Sequence, residues 1–350
     1  MSALKHKEPD RTPLFEYVLL SPVADALLGR SYAGDPENWQ TLARERGWRA
    51  AVRQEAIDRL DLAQLLGHDM LYVIPAPPPE SLNPPPAPPA NEPPQPEDPG
   101  ERVRLRNDKW AGEPPHLSDD PFLIYHDLLE EMRQRGIDLP MLVPAYNHGI
   151  WTDTDLMQTM IIDPDAAHEH FALATRSSLA YIEKYIALDL DMIGVGGDFS
   201  GNRPIISPAN YREFIAPEVA AVSRRIHAAG KWAVNASDGN LWPVIEDFLI
   251  GCEVDGYIEI DPQAGMDLRR LKELYGGRVT LFGNIDCAGA LSFGTPDEVA
   301  RHTIGRIEAG MGGGGHILCA NNAITASVPV PNYIAAVNAY RKYFGLELLI

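Results

Sequence analysis

The segment MIGVGGDFSGN (Met192–Asn202) decides the fold, because it joins a short apolar run to a polar, glycine-rich end. Three later segments follow the same pattern: KWAVNASDGN (Lys231–Asn240), VTLFGNID (Val279–Asp286) and HILCANNA (His316–Ala323). Apolar strands that alternate with helices predict a parallel sheet. Residues just past the strand ends of a closed parallel barrel meet at one mouth. We therefore expect the polar ends of these segments to share one pocket.

The spacing of apolar residues extends this pattern over most of the chain. A helical extension is predicted over residues 14–66, where apolar residues recur at intervals of three and four. Beyond it, strands and helices alternate. Seven strands are predicted, over residues 70–75, 139–146, 192–199, 231–237, 256–260, 279–285 and 316–320. An eight-stranded barrel needs one more strand, which the sequence does not locate.

A proline-rich insertion interrupts the alternation over residues 75–118. Of the 25 residues from Pro75 to Pro99, 13 are proline, a composition that favours polyproline II and cannot supply the donors of a sheet. An extended surface loop and a lid or docking strap for a partner are both open interpretations. The following segment ERVRLRNDKWAG (Glu101–Gly112) alternates like a short strand and predicts a hairpin beside the mouth.

Composition and charge limit the classes of partner. The formal net charge is −19, which argues against nucleic acid and anionic membrane surfaces. The N-terminus has no apolar region typical of a signal peptide, and no apolar run approaches the length of a membrane span. Three cysteines without a CxxC pair favour a reduced, cytoplasmic protein. One domain over residues 1–350 is expected, and a homodimer is the candidate assembly.

The polar residues at the strand ends are the candidates for chemistry. Asp198 follows two glycines that permit close backbone approach, and its carboxylate could act as a base or orient a substrate. Asp238 has the alternative role of a helix N-cap. His148 follows the second strand, and a lone histidine is more often structural than a metal ligand. The sequence contains no cluster of His and Cys typical of a zinc site.

Three segments resemble the uroporphyrinogen decarboxylase superfamily: DMIGVGGDFSGNRPIISPANYREFIAPEVAAV, MDLRRLKELYGGRVTLFGNIDCAGALSFGTPDEV and GGGGHILCANNAITASVPVPNYIAAVNAY. The opening elements PDRTPLFEYVL and LLGHDMLYV are similar to those of the family as well. The resemblance implies a (β/α)8 TIM barrel. The superfamily contains porphyrinogen decarboxylases and zinc-dependent methyltransferases that work with a corrinoid (cobalamin) protein.

The chain departs from both branches at the residues that matter for chemistry. The arginine-rich segment by which decarboxylases grip their polycarboxylate substrate is reduced to Arg53-Gln54, and their catalytic Asp falls near Ala76. The HxC pair and the late Cys that bind zinc in the methyltransferases fall on Ala236, Asp238 and Asn322. Of these, only Asp238 is a candidate metal ligand. An amide and one carboxylate do not replace two soft thiolates on zinc.

The resemblance without zinc ligands predicts a corrinoid-dependent methyltransferase or demethylase that acts on a small O- or N-methylated substrate. Its leaving atom would be protonated or polarised by an acid of the pocket. Two alternatives stay open: a decarboxylase or lyase acting on a small acid, and a non-catalytic barrel that binds a tetrapyrrole or metabolite. The predicted catalytic residues are Asp198, Asp238 and His148, and the predicted substrate contacts are Tyr146, Asn147, Trp151, Asn235, Glu259, Asn284 and Asn322. The expected partner is a corrinoid protein; zinc stays possible.

Overall fold

Seven parallel strands form one curled sheet in chain order. The computed structural model describes residues 1–82, 96–112 and 117–349. Within them every strand pairs with the next one along the chain, β1 with β2 through to β6 with β7. The strands are β1 (Leu71–Tyr72), β2 (Met141–Pro144), β3 (Met192–Gly196), β4 (Trp232–Ala236), β5 (Gly256–Ile258), β6 (Thr280–Phe282) and β7 (His316–Ile317). Each lies inside a predicted strand, so the parallel α/β arrangement is confirmed.

An extended N-terminal segment, Pro13–Phe15, lies beside the two edges of this sheet. Leu14 forms a parallel bridge with Leu318, just after β7. Its carbonyl also accepts the backbone N–H of Asp69, just before β1, at 2.7 Å. Among the described residues this segment is held by isolated bridges, so it is not an eighth strand. The prediction of a helix from residue 14 is therefore wrong for these first residues.

In the described part of the chain, twelve α-helices connect the strands or cover them. They are α1 (Val23–Leu28), α2 (Pro36–Arg46), α3 (Trp48–Leu66), α4 (Pro99–Gly112), α5 (Leu123–Arg135), α6 (Thr154–Ile162), α7 (Pro164–Ala187), α8 (Pro208–Asn210), α9 (Ala216–Ala228), α10 (Leu268–Tyr275), α11 (Pro296–Gly310) and α12 (Val330–Tyr343). Short 3₁₀ turns occur at Ala3–Lys5, Pro79–Leu82 and Asp120–Phe122, and π-helical turns at Tyr211–Ile215, Asp247–Gly251 and Cys287–Leu291. The helical extension before β1 consists of α1 to α3.

Helix α4 replaces the predicted hairpin. Its buried residues include Val103 and Asn107, four positions apart, which is the spacing of one helix face. Asp98 caps the start, where its side chain accepts the backbone N–H of Glu101 at 3.0 Å. The arginines that alternate with apolar residues pair with acids of the neighbouring helices, for example Arg102 with Asp155 at 2.6 Å. The alternation therefore reflects ion pairs on a helix surface, and the strand prediction is wrong.

The core has an inner and an outer layer. Side chains that fill the interior of the curled sheet include Met70, Leu142, Met192, Val234, Ile258, Phe282 and Ile317. The outer layer packs the other face of the strands against the helices. The three cysteines are buried free thiols. Residues 83–95 lie outside the described part of the chain, so the predictions of a proline-rich loop or docking strap stay predictions. No helix of the described residues is long and apolar enough to cross a membrane.

Candidate active site

The loops after β3 and β4 are bonded to each other along their length. The backbone N–H of Gly197 donates to the Ala236 carbonyl at 3.1 Å, and that of Asn240 to the Gly201 carbonyl at 2.8 Å. Between these two bonds, the backbone N–H of Asp238 donates to Asp198 Oδ1 at 2.9 Å. The pairing of the two loops therefore fixes the two aspartates side by side at the carboxyl end of the sheet.

Glycine is required where these loops approach each other. Gly197 has a φ of +128°, in the region that disfavours side chains, and a Cβ there would clash with the Asn147 side chain. Gly239 has a φ of +84°, and a Cβ there would overlap the backbone of Ser200. The glycines that flank Asp198 and Asp238 in the sequence thus allow their side chains to meet.

A third carboxyl group, that of Glu259, completes the cluster. One oxygen from each of Asp198, Asp238 and Glu259 lies within 4.8 Å of the others. Glu259 directly follows β5 and has a φ of +72°, an uncommon conformation for a residue other than glycine. Such backbone conformations persist where the surrounding structure imposes them, often at functional sites. Three predicted site residues from three different strand ends therefore converge.

Burial and mutual repulsion raise the pKa values of two of these carboxyls. The pKa of Asp238 is raised to about 7, mainly because burial removes water from the carboxylate and secondly because the charges of Asp198 and Asp261 lie nearby. The Asn322 amide lowers this pKa in part. The pKa of Glu259 is held well above its ordinary range, mainly because burial removes water and secondly because Asp238 and Asp198 carry like charges nearby. No cation contributes to either shift. Both shifts favour the protonated form of these carboxyls, and near neutral pH Asp238 is poised between its two forms.

A cavity of about 200 Å³ opens beside the cluster. Asp198 and Glu259 line it directly, together with aliphatic residues of the sheet interior such as Leu142, Val234 and Ile258. It is smaller than the roughly 300–1,000 Å³ that is usual for drug-sized ligands. The cavity therefore suits a small molecule with its reactive group at the carboxyl cluster.

Two tyrosines of the cavity are missing from the sequence-based site. Tyr17 and Tyr72 both line it, with ring centroids 4.3 Å apart. The Tyr17 hydroxyl interacts with Glu259 and lowers its pKa in part. Tyr17 lies in the segment interpreted as helix, although the short apolar run from Leu14 between Pro13 and Pro22 is a signal for extended chain. Tyr72 lies in β1, which was predicted without a site residue.

Tyr146, Asn147 and Asn322 lie at or beside the cavity. Tyr146 and Asn147 line it, and the Tyr146 ring is 5% exposed. Asn322 donates through Nδ2 to Asp238 Oδ2 at 2.6 Å. Trp151 is 47% exposed and is not part of the cavity lining.

Three further predicted residues are turned away from the cavity. Asn235 is fully buried and donates to the Phe248 carbonyl at 3.1 Å. Asn284 is fully buried and donates to the Ile260 carbonyl at 3.3 Å. His148 is buried against Phe199, and burial lowers its pKa to about 4, so its ring is neutral near pH 7. None of the three lines the cavity.

Comparison with known proteins identifies the family. The profile of the uroporphyrinogen decarboxylase (URO-D) family matches residues 148–343, more than half of the chain. The chain belongs to the uroporphyrinogen decarboxylase family. A solved structure, a methyltransferase from Methanosarcina mazei, is similar with a TM-score of 0.67 over 98% of this chain and 97% of that chain. The identity is 16%, so this likeness concerns the fold. No curated protein matches the chain.

The donor atoms of this family member do not suit a zinc–thiolate centre. The positions that align with zinc ligands hold Ala236, Asp238 and Asn322, and Asn322 is already bonded to Asp238. The cysteines lie elsewhere: Cys287, for example, is buried with its thiol 3.0 Å from Asn321 Oδ1. The atoms that converge here are all carboxyl oxygens. Zinc binds a ligand set made only of carboxyl oxygens less readily than one that contains Cys or His. The repulsion among three close carboxylates is also relieved when some of them hold protons.

Proposed function

We propose that this protein transfers a methyl group from a small O- or N-methylated substrate to a corrinoid protein, with a carboxylic acid of the site assisting the leaving atom. The observation that carries the proposal is the convergence of Asp198, Asp238 and Glu259 beside a small cavity, where burial and the neighbouring charges raise the pKa of the Glu259 carboxyl. Membership of the uroporphyrinogen decarboxylase family and the likeness in fold to a methyltransferase support it.

The step requires an acid because an alkoxide or amide anion is a poor leaving group. The partner corrinoid, with its cobalt as Co(I), would supply the electron pair of the new bond to the methyl carbon. The bond from carbon to oxygen or nitrogen breaks, and its electron pair stays on the leaving atom. Glu259 gives its proton to that atom and becomes a carboxylate. General acids of this kind contribute about 10²–10⁴-fold to rate.

The size of the cavity is consistent with a corrinoid carried by a partner. A volume of about 200 Å³ suffices for a small methyl donor but not for a corrin ring. The cobalt would therefore approach from the mouth, where the substrate methyl group is presented. The carboxyl cluster at this mouth also disfavours the small-acid decarboxylase, because like charges repel in a partly buried site.

Methylation of a corrinoid tests the proposal. The full chain, reduced cobalamin or a corrinoid protein, and a panel of small methyl ethers and methylamines are mixed, and the absorbance of methylated corrinoid is followed. We expect Glu259→Gln to lower the rate about 100-fold, since the amide keeps the shape of the side chain but cannot give up a proton in the same way. The control Glu308→Gln, on an exposed part of α11, keeps the full rate. A rate unchanged by Glu259→Gln would contradict the role of this acid.

A measurement of the metal content distinguishes the acid-assisted transfer from a route in which a metal acts as a Lewis acid. The protein is purified without chelator, and its metals are measured by elemental mass spectrometry. We expect no stoichiometric zinc, because the aligned ligand positions lack thiolates. About one zinc per chain, lost in Asp238→Ala, would overturn the acid-assisted mechanism and replace it with a metal-assisted one.

A further inference from the structure

Among the residues that the structure describes, none with a cationic side chain lines the cavity beside the carboxyl cluster. Its walls are formed by aliphatic and tyrosine side chains, one amide and the carboxyls of Asp198 and Glu259. Arg59 contacts the backbone of Tyr72, which lines the cavity, but is not itself part of the lining. It donates to the Tyr72 carbonyl at 3.2 Å and pairs with Glu55 at 2.7 Å. The charge of Arg59 is therefore balanced by Glu55.

The acidic groups that face the cluster add to this bias. Asp261 follows Glu259 closely and acts on Asp238 through its charge. The donors that the cluster receives are neutral: the backbone N–H of Asp238, the Asn322 amide and the Tyr17 hydroxyl. Within the described residues, the site thus has several potential negative charges and no positive side chain to balance them. A cationic ligand would supply the balancing charge.

Two aromatic rings close the same cavity. Tyr17 and Tyr72 lie with their rings inclined at 53° and their centroids 4.3 Å apart, and both line the space next to Glu259. The face of a tyrosine ring attracts ammonium groups, and it does so more strongly where water is excluded. Tyrosine rings combined with carboxyl groups form a surface suited to a methylated ammonium ion, whereas an ether gains little from either.

We infer that the substrate of this site is a small methylated amine, held as its ammonium ion by Asp198, Glu259 and the pair Tyr17–Tyr72. This inference rests on the proposed function and fixes the leaving atom as nitrogen. A neutral methylated amine takes the proton of the Glu259 carboxyl as it binds, which gives an ammonium ion and a carboxylate. On transfer of the methyl group to the corrinoid, the C–N bond breaks and its electron pair stays on nitrogen. The demethylated amine leaves as a neutral molecule that keeps the proton.

A matched pair of ligands tests the inference by binding alone. N-methylcyclohexylamine and cyclohexyl methyl ether have the same number of heavy atoms and differ in the atom that carries the methyl group. Their affinities for the full chain are measured by titration calorimetry at neutral pH. We expect the amine to bind at least 10-fold more tightly than the ether. Equal affinity, tighter binding of the ether, or no binding of the amine would overturn the inference.

Variants assign the preference to the named side chains. Asp198→Asn should weaken binding of the amine about 10-fold and change that of the ether less than twofold. Tyr17→Leu, which removes a ring and keeps an apolar wall, should weaken the amine several-fold. Glu308→Gln is the matched control that changes neither, and circular dichroism checks that each variant is folded. If the folded variants lost affinity for the amine and for the ether to the same extent, a charge-based preference would be contradicted.

Transfer assays with the same two ligands separate failure of the inference from failure of the proposed function. Methylation of the corrinoid by the ether at a rate equal to that by the amine would overturn the amine assignment and leave methyl transfer standing. Tight binding of the amine without methylation of the corrinoid by any donor would overturn both.

Discussion

The residues of the carboxyl cluster place an electrostatic cost on the folded protein. In the unfolded chain each carboxyl is solvated and titrates near its ordinary pKa. In the folded chain Asp238 and Glu259 are partly buried beside Asp198, so each loses water and gains a like-charged neighbour. Functional sites often keep such unfavourable arrangements because they hold a group in the protonation state that the chemistry needs.

Asp238 makes the stability of the protein depend on pH. Its pKa is about 7 in the folded protein, against an ordinary value of 3.8 for an aspartate side chain. Below about pH 4 both states hold the proton. As the pH rises from there through about 7, the unfolded state loses its proton first, and the folded state becomes less stable. We therefore expect Asp238→Asn to raise the free energy of unfolding above pH 7, on the order of a few kcal/mol.

Thermal unfolding measured from pH 4 to pH 8 checks this expectation. The gain should be smallest near pH 4, where the wild-type carboxyl is protonated in the folded state and about half protonated in the unfolded state. Asp297→Asn serves as the control, because this aspartate is exposed in the first turn of α11. A gain of equal size at both ends of the pH range would assign the effect to packing, and the predicted role of charge would be wrong.

Register within a strand explains which of the predicted site residues lie at the cavity. Ala236 of β4 lines the cavity, whereas its neighbour Asn235 is turned outward onto the Phe248 carbonyl. Consecutive strand residues point to opposite faces, so an error of one position reverses the assignment. The carboxyls of Asp198, Asp238 and Glu259 converge because they come after the strands, where loops turn inward. Strand boundaries are the least reliable part of a sequence-based prediction.

Among the elements, α4 shows how a surface helix can imitate a strand. Its arginines at every second position suggest period two, yet each is long enough to reach an acid in α6 or at the N-cap of α6 or α7. Arg102 pairs with Asp155, Arg104 with Asp163 and Arg106 with Asp153. Local patterning could not reveal these partners, because they lie about 50 to 60 positions away along the chain.

One buried side-chain amide of α4 is hydrogen-bonded to α7. Asn107 is fully buried, and its Nδ2 donates to the Ala166 carbonyl at 2.8 Å. We expect Asn107→Ala to lower the free energy of unfolding by about 1–3 kcal/mol, because it leaves a buried carbonyl without that donor. The exposed neighbour Asp108→Ala should change it by less than about 0.5 kcal/mol. Urea unfolding followed by circular dichroism measures both, and equal effects would contradict the anchoring role.

At the scale of the whole molecule, the N-terminal segment joins the closing edge of the sheet to the active site. Leu14 bridges Leu318 and accepts a hydrogen bond from Asp69, and Tyr17, three residues later, enters the cavity. The family resemblance predicted a barrel, and the seven strands follow it in order. The remaining position could not be located from the sequence, because an extended segment held by isolated bridges lacks the length and alternation of a strand.

Loosening this segment should therefore affect activity as well as stability. Leu14 is 3% exposed, and we expect Leu14→Ala to lower the free energy of unfolding by about 2–5 kcal/mol through the cavity it creates. Leu271→Ala on α10, fully buried but distant in sequence from the segment, should cost a similar amount. At a temperature where both variants are folded, only Leu14→Ala should reduce methyl transfer. Equal activity of the two variants would separate the segment from the site.

The bond between the Phe15 N–H and the Leu318 carbonyl, at 3.1 Å, also sets an order of events during biosynthesis. The ribosome makes residue 15 long before residue 318, and at about 5–20 residues per second the interval is roughly 15–60 s. During that interval the segment with Tyr17 has no β7 to pair with. A nascent chain therefore has no assembled active site until residue 318 has emerged, and its apolar strand edges need protection from aggregation for the same period.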